Sequence, residues 1–138
     1  MTIVKPEYQH SEITGKILAA AFEVHNIIGC GFMESVYHRS MEIELRIRNV
    51  LFESEKVMAI HFKNHKVGSR RVDILVEKLV SAELKAVSNL DNTHLAQGIN
   101  YIQAFNIEVG LLINFGAAKL QFYRLINPKL LNKNRTRK

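Results

Sequence analysis

The sequence predicts an α/β domain in which helices pack on a mixed β-sheet, with the elements in the order ααβββαββ. Apolar residues recur at helical spacing in two N-terminal segments and in one later segment. Extended segments lie between and after these helices. One of them, 109–115, is almost entirely apolar, as expected for a central strand that is covered on both faces. Alternation of this kind is typical of helices layered on a sheet.

The first two helices are predicted at 11–28 and at about 33–48. Ser11 is a candidate N-cap of the first helix, and the turn 29–31, with its two glycines, ends that helix. The apolar positions that repeat at helical spacing in the first helix are Ile13, Ile17, Ala20, Ala21, Val24, Ile27 and Ile28.

Three strands are predicted next, at about 52–62, 67–77 and 80–87. Asn64 suits the first turn between them. Glu77-Lys78 is expected to close a tight second hairpin, although it lacks the usual Gly or Asn.

The C-terminal half of the domain is predicted to add one helix and two strands. The helix runs from Asp91, a plausible N-cap, to about Asn106. The apolar strand 109–115 ends at Gly116, and a last strand covers 120–125.

Composition predicts a single domain over 1–127, because 138 residues, 47% of them hydrophobic, suffice for one core. No apolar stretch approaches the roughly 20 residues of a membrane span. The first residues lack the apolar centre of a signal peptide. The single cysteine, Cys30, excludes an internal disulfide and fits a reducing compartment. A cytoplasmic protein is therefore expected.

The net charge of +6 at first indicates a nucleic-acid partner. Five of the positive charges, however, lie within 128–138, and without them the chain carries a net charge of +1. We expect 128–138 to be a basic, flexible tail. Loose contact between this tail and phosphates is the alternative to a purely solubilising role.

Three charged residues on neighbouring predicted strands are the strongest candidates for a chemical site. Glu83 and Lys85 share one strand face, with Leu84 on the other, and Asp73 lies on the preceding strand. Carboxylate oxygens at this spacing suit Mg²⁺ or Mn²⁺, and a neighbouring lysine can stabilise charge on a phosphate. On spacing alone, a cross-strand salt bridge on a solvated face explains the same residues equally well.

Two helices add polar candidates. Glu34 shares a helical stripe with Tyr37 and predicted core positions, which indicates the inward face; a helix-start acid favoured by the helix dipole is the equal alternative. Gln97 and Tyr101 lie four residues apart on one face of the third helix. His94, three residues before Gln97, lies on the same face. Judged alone, a partly exposed polar face explains that pattern more simply.

Arg71 and Arg124 are weaker candidates for contact with a substrate phosphate, since solvent-facing arginines are the simpler reading of both. The six histidines show no paired zinc-ligand spacing. No phosphate-loop or Gly-x-Ser-x-Gly motif is present, so the usual nucleotide-binding loop and serine-hydrolase elbow are not expected.

Five ordered blocks of the sequence resemble the GxxExxY proteins, a compact branch of the PD-(D/E)XK nuclease superfamily. The first block is 24–37, with Gly31, Glu34 and Tyr37 in the named positions. The other blocks are 71–77, 82–87, 94–97 with Tyr101, and 110–116. The resemblance covers roughly 12–126, and Cys30 stands where the family usually has Pro.

The resemblance implies a restriction-endonuclease-like fold and a metal-dependent phosphodiesterase centre. In it, Asp73 and Glu83 match metal-binding acids, and Lys85 matches the catalytic lysine. Glu34 matches a helix acid that can join the metal site, and the backbone carbonyl of Leu84 matches an additional metal ligand. A further match pairs Gln97 and Tyr101 with an element that borders the active site.

The function predicted from these observations is hydrolysis of phosphodiester bonds in DNA, or less favourably RNA, with Mg²⁺ or Mn²⁺. Two alternatives stay open at this point. One is a non-catalytic nucleic-acid-binding module; the other is a protein-interaction subunit on a nuclease fold. A homodimer or a partner protein is plausible, because so small a domain leaves little surface for base recognition.

Overall fold

The structure is a computed structural model that describes residues 9–130. Within this range three helices and five strands follow in the predicted order ααβββαββ. Their bounds are α1 Ser11–Ile28, α2 Glu34–Ile47, β1 Phe52–Phe62, β2 His65–Val76, β3 Val80–Lys85, α3 Asn92–Ala104, β4 Val109–Asn114 and β5 Gln121–Ile126. The predicted elements are confirmed, with boundaries that differ by two residues at most.

The strands form one mixed sheet in the order β1-β2-β3-β4-β5. Neighbouring strands are antiparallel except for β3 and β4, which are parallel and are connected by α3. Strand β4 is buried along its whole length, as its apolar sequence predicts. The mixed sheet flanked by helices is therefore confirmed.

Both hairpin turns use two consecutive residues in the left-handed region. In the β1–β2 turn these are Lys63 (φ 47°) and Asn64 (φ 66°), and in the β2–β3 turn they are Glu77 (φ 51°) and Lys78 (φ 61°). Positive φ at both central residues is what a type I′ hairpin turn requires. The second turn forms as predicted, and it does so without Gly or Asn.

The two predicted helix caps have different outcomes. Asp91 caps α3: its carboxylate accepts a hydrogen bond from the N–H of His94 (3.0 Å), whose ring accepts one from the N–H of Asp91 (3.2 Å). The prediction for Ser11 is wrong, because the cap position of α1 is His10, in a left-handed conformation (φ 57°) and without a side-chain capping bond.

A hydrophobic cluster fills each side of the sheet. The cluster under α1 and α2 includes Tyr37, whose ring stacks on Phe115 at 4.8 Å between centroids and whose hydroxyl donates to the carbonyl of Gly29 (2.7 Å). The turn between the two helices is thereby fixed to the core. The cluster on the α3 side contains Val72, Leu75, Ile102, Phe105, Ile107, Leu112 and Leu125.

Asn114, fully buried at the end of β4, ties together the chain segments that leave β3 and β4. Its side-chain oxygen accepts from the N–H groups of Val87 (2.9 Å) and Gly116 (3.0 Å). Its amide group donates to the Val87 carbonyl (2.8 Å) and to Gln121 (3.0 Å). These bonds fix the course of the chain immediately after Lys85.

The C-terminal limit of the domain is visible only in part. Asn127, just after β5, is buried and donates to the carbonyls of Ile102 and Ile107, both at 3.0 Å. Residues 128–130 form a short helical turn, and the rest of the predicted basic tail lies outside the described residues. The division at residue 127 stays a prediction. Within residues 9–130, none of the helices combines the length and apolarity needed to cross a membrane.

Gly116→Ala is expected to destabilise the fold by about 1–3 kcal/mol, as inserted atoms do in well-packed sites. A Cβ there would lie 2.4 Å from the backbone oxygen of Val87, so backbone would have to shift. The matched control is Gly68→Ala, where nothing lies within 4 Å of the added Cβ. Urea unfolding of both variants measures the difference, and equal stabilities would contradict this account of Gly116.

Candidate metal centre

The sheet opens between β2 and β3 at Asp73. Pairing of β2 with β3 extends only from Val76 to Ile74, although β3 continues to Lys85. Beyond that point the carboxylate of Asp73 accepts the N–H of Leu84 (2.8 Å) in place of a strand carbonyl. An acidic side chain thus satisfies the backbone of β3 at the point where the neighbouring strand leaves it.

The strand geometry changes at the same residue. Val72 packs in the cluster on the α3 side, whereas Ile74, two residues on, packs in the cluster under α1 and α2. Ordinary alternation would place them on the same face. The β1–β2 register also has no pair between Ser54↔Ile74 and Lys56↔Val72, where Glu55 adopts a positive φ of 54°. The local change of face places the Asp73 side chain in the opening.

Asp73 and Glu83 form a pair of facing carboxylates. Glu83 is 7% exposed, and its pKa is raised from 4.5 to about 7. Burial is the largest cause, because it disfavours the charged form. The negative charge of Asp73 and a hydrogen bond from protonated Glu83 to Asp73 raise the pKa further, while the positive charges of Arg70 and Lys85 lower it.

Arg70 is a site residue that no sequence motif indicates. Its guanidinium lies 3.1 Å from Glu83 Oε2 and 4.0 Å above the centre of the Tyr101 ring. Its Nε is buried without a hydrogen-bond partner. Strand alternation places Arg70 on the same face as Val72, the face that packs toward α3. Its contacts with Glu83 and Tyr101 could be assigned only once the position of the hairpin was known.

The side chains around Glu83 on the α3 side are closely packed. Lys85, Gln97 and Tyr101 line the same small cavity as Glu83 and Arg70, and its volume is about 10 Å³. A buried water needs roughly that much space. The structure therefore brings Lys85 together with Gln97 and Tyr101, as the sequence predicts, although Gln97 itself is exposed.

A larger cavity of about 550 Å³ opens on the α2 side. Asp73, Leu84 and Glu34 all line it, so the helix acid and the strand acid face one space. Glu34 itself is exposed, whereas Tyr37 on the same stripe is buried. The expectation that Glu34 lies on the inward face is corrected: the first turn of α2 extends past the core to the rim of this cavity.

The wall of the larger cavity carries a polar cluster that was also missed. His38 Nε2 lies 2.6 Å from the hydroxyl of Ser54 and 3.5 Å from a carboxylate oxygen of Glu42, and Ser54 donates to that same carboxylate. The sequence signal was the spacing of Glu34, His38 and Glu42, which lie four residues apart along one face of α2.

The two arginines proposed as phosphate contacts lie in different places. Arg71 is exposed on β2, two residues before Asp73, and it lines neither of the two cavities. Arg124, on β5, donates to the backbone carbonyl of Gln9 and lines neither of the two cavities. Neither arginine therefore lines the candidate centre, and Arg71 is near it only through its position on β2.

The donor set of the opening fits a hard divalent cation. Within residues 9–130 no group of three or more His, Cys, Asp or Glu side chains is arranged to hold a metal ion. Mg²⁺ needs only one or two carboxylates, because it retains several waters. The facing carboxylates of Asp73 and Glu83, whose mutual repulsion a cation would relieve, meet that requirement.

The chain belongs to the PD-(D/E)XK nuclease superfamily, whose family model matches residues 11–125. This confirms the superfamily predicted from the sequence. The narrower resemblance to the GxxExxY proteins stays a prediction. No curated protein matches the chain significantly.

Among solved structures, the chain is similar to one described as the crystal structure of SSO0001, with a TM-score of 0.52 and 18% sequence identity. The match covers 74% of this chain and 56% of that one, so the present chain corresponds to little more than half of its structural relative. At this identity the likeness supports the fold. Together with the family model, it confirms the restriction-endonuclease-like mixed sheet.

Glu83→Gln is expected to remove a pH dependence of stability. Because the pKa of Glu83 is raised from 4.5 to about 7, the folded chain keeps a proton that the unfolded chain has released between these values. The free energy of unfolding should therefore fall as pH rises from about 4.5 to about 7, by up to about 3 kcal/mol, and change little above that range.

Urea unfolding in EDTA across this pH range measures the effect. The Gln variant should show a flatter profile than the parent, and Glu23→Gln on the exposed face of α1 is the matched control. Parallel profiles for the parent and Glu83→Gln would mean that Glu83 is not the source of the pH dependence.

Proposed function

We propose that the chain is a nuclease that hydrolyses phosphodiester bonds in DNA, with RNA as the less favoured substrate, and that it depends on Mg²⁺ or Mn²⁺. The observation that carries the proposal is the pairing of the buried Glu83 with the half-buried Asp73, beside Lys85, in a member of the PD-(D/E)XK nuclease superfamily. A buried carboxylate held next to a second carboxylate costs stability, which a metal-binding function would explain.

In the proposed site, Asp73 and Glu83 hold the metal ion. Glu34 contributes from the rim of the larger cavity, directly or through water, and the backbone carbonyl of Leu84 is an additional ligand. When bound, the ion would polarise a phosphate oxygen and lower the pKa of a bound water. Arg70 neutralises part of the charge of Glu83 and keeps its carboxylate oriented by the 3.1 Å contact.

The remaining roles fall to residues around Lys85. The ammonium group of Lys85 orients the attacking water and stabilises the negative charge that develops on the phosphate. Gln97 and Tyr101, which line the same cavity, orient Lys85 or a substrate phosphate. Arg71, exposed on β2 two residues before Asp73, is the proposed phosphate contact; Arg124 is the weaker candidate, since its guanidinium already donates to Gln9.

A cytoplasmic location and assembly as a homodimer or with a partner protein complete the proposal. The single cysteine supports the first. The small size of the chain supports the second, because base recognition generally needs more surface than catalysis alone.

Cleavage assays test the activity. Labelled single- and double-stranded DNA and RNA are incubated with Mg²⁺ or Mn²⁺ and the parent, Asp73→Asn or Lys85→Met. Each variant should lose at least about 100-fold in rate, as expected when a group that stabilises the transition state is removed. Asn at position 73 retains an oxygen that can accept the Leu84 N–H, which limits damage to the sheet.

Lys119→Met, at an exposed position in the β4–β5 loop, is the matched control for Lys85→Met and should cut at the parental rate. The proposal fails if the parent cuts no substrate, or if Asp73→Asn and Lys85→Met cut as fast as the parent.

Calorimetric titration with Mg²⁺ tests the metal site apart from catalysis. The parent should bind, and Glu83→Gln, which keeps the shape of the side chain but removes its charge, should bind at least about 10-fold more weakly. Glu23→Gln should bind like the parent. Equal Mg²⁺ affinity in all three chains would remove Glu83 from the metal site.

A further inference from the structure

The β1–β2 hairpin carries a charge that the rest of the domain does not share. Between residues 56 and 72, here named the basic hairpin, the chain has five Lys or Arg residues and no Asp or Glu. Outside this segment and 128–138, nine Lys or Arg residues stand against thirteen Asp or Glu, a net charge of −4. The basic hairpin is therefore positively charged and the rest of the domain is net negative, although the two charges nearly cancel in the total.

The end of the basic hairpin extends beyond the sheet. Because β2 pairs with β3 only from Ile74 to Val76, the preceding part of β2 has β1 as its sheet partner. All residues from 61 to 67 are exposed, among them Lys63 and Lys66. Phe62 and Val67 are 63% and 64% exposed, so the tip presents both apolar and basic groups to an external partner.

The base of the basic hairpin is anchored. Met58 and Ile60 pack against the hydrophobic cluster on the α3 side, and Arg70 lies over the Tyr101 ring. This contact fixes the direction of the hairpin relative to the candidate metal centre. The exposed tip therefore extends from a two-stranded β-ribbon whose base is anchored to the domain.

The outer face of the basic hairpin leads to the candidate centre. This outer face is the one turned away from the cluster on the α3 side; exposed Arg71, next to inward-packed Val72, lies on it, and Asp73, two residues on, lines the larger cavity. Val57, paired with Arg71, is 60% exposed there. At about 3.4 Å per residue, the tip at Lys66 lies roughly 24 Å along the strand from Asp73. A polyanion bound along this face would reach Asp73 at its base.

We infer that the basic hairpin is a nucleic-acid-binding arm that holds the phosphate backbone of a DNA duplex next to the candidate centre. The inference rests on the proposed nuclease function, since the outer face ends at that centre. A two-stranded ribbon has the width to enter the major groove, and lysines that neutralise phosphates release counterions. Lys63 and Lys66 are the phosphate contacts at the tip.

Binding of a short fluorescent DNA duplex, measured by anisotropy in EDTA over a series of salt concentrations, tests the arm without cleavage. The double variant Lys63→Gln/Lys66→Gln should bind about 10-fold more weakly than the parent at moderate salt. The slope of log K against log salt should fall by roughly 2, since each phosphate contact contributes about 0.9.

The matched control is Lys16→Gln/Lys119→Gln, which removes the same charge from exposed positions outside the hairpin. It should retain the parental affinity and slope. Thermal unfolding of both double variants checks that the fold is unchanged; if the hairpin variant is unfolded, Lys66→Gln alone should still lower the slope by about 1.

The outcomes separate this inference from the proposed activity. Two results together would support the DNA-binding arm and overturn the nuclease function. One is a reduced slope of log K against log salt in the hairpin variant, and the other is no cleavage by the parent in Mg²⁺. Cleavage by the parent with unchanged binding and slope in the hairpin variant would overturn the arm and leave the nuclease. Equal losses in both double variants would overturn the arm as a general charge effect. A parental dimer that only the hairpin variant loses would instead assign the surface to a second copy of the chain.

Discussion

The hydrogen bond from the Leu84 N–H to the Asp73 carboxylate is the contact on which the candidate centre depends. It ends the pairing of β2 with β3 and takes the place of the next backbone bond in the ladder. A carboxylate at this position serves two purposes. It satisfies a strand donor, and it remains in the opening that the separation of the strands creates. An aliphatic residue at position 73 would leave the Leu84 N–H without this acceptor, at the cost of an unpaired buried donor.

Opposing electrostatic effects act on the protonation of Glu83 in the opening. Burial and the proximity of Asp73 favour protonated Glu83, while Arg70 and Lys85 favour the ionised form. Arg70 is itself held between Glu83 and the Tyr101 ring, so the helix that carries Tyr101 also supports the charge balance on the strands. The stability of the sheet and the chemistry of the centre are therefore coupled through a small number of side chains. Such coupling is common where pKa values are strongly shifted.

Much of this arrangement could be predicted from the sequence, because it follows from local pattern. Apolar periodicity determined the elements, and the residues Asp73, Glu83 and Lys85 could be placed on adjacent strands. Arg70 could not be assigned, since its role depends on where the hairpin lies against α3. The helical wheel gave the angular position of Glu34 but not its depth, and the left-handed His10 displaced the cap predicted at Ser11. The change of strand face at Asp73 coincides with a positive φ at Glu55, a residue on a different strand.

The bonds made by Asn114 have a consequence for how such a domain can vary. They hold the chain at Val87, only two residues after Lys85, and join it to the loop that contains Gly116. The first residues after Lys85 therefore follow a fixed path, and residues cannot be added there without breaking these bonds. Insertions there would displace the helix that carries Gln97 and Tyr101 from the strand that carries Glu83. The exposed hairpin tip at Lys63-Asn64 bears no such constraint, so we expect related chains to differ in length at the tip rather than at the exit of β3.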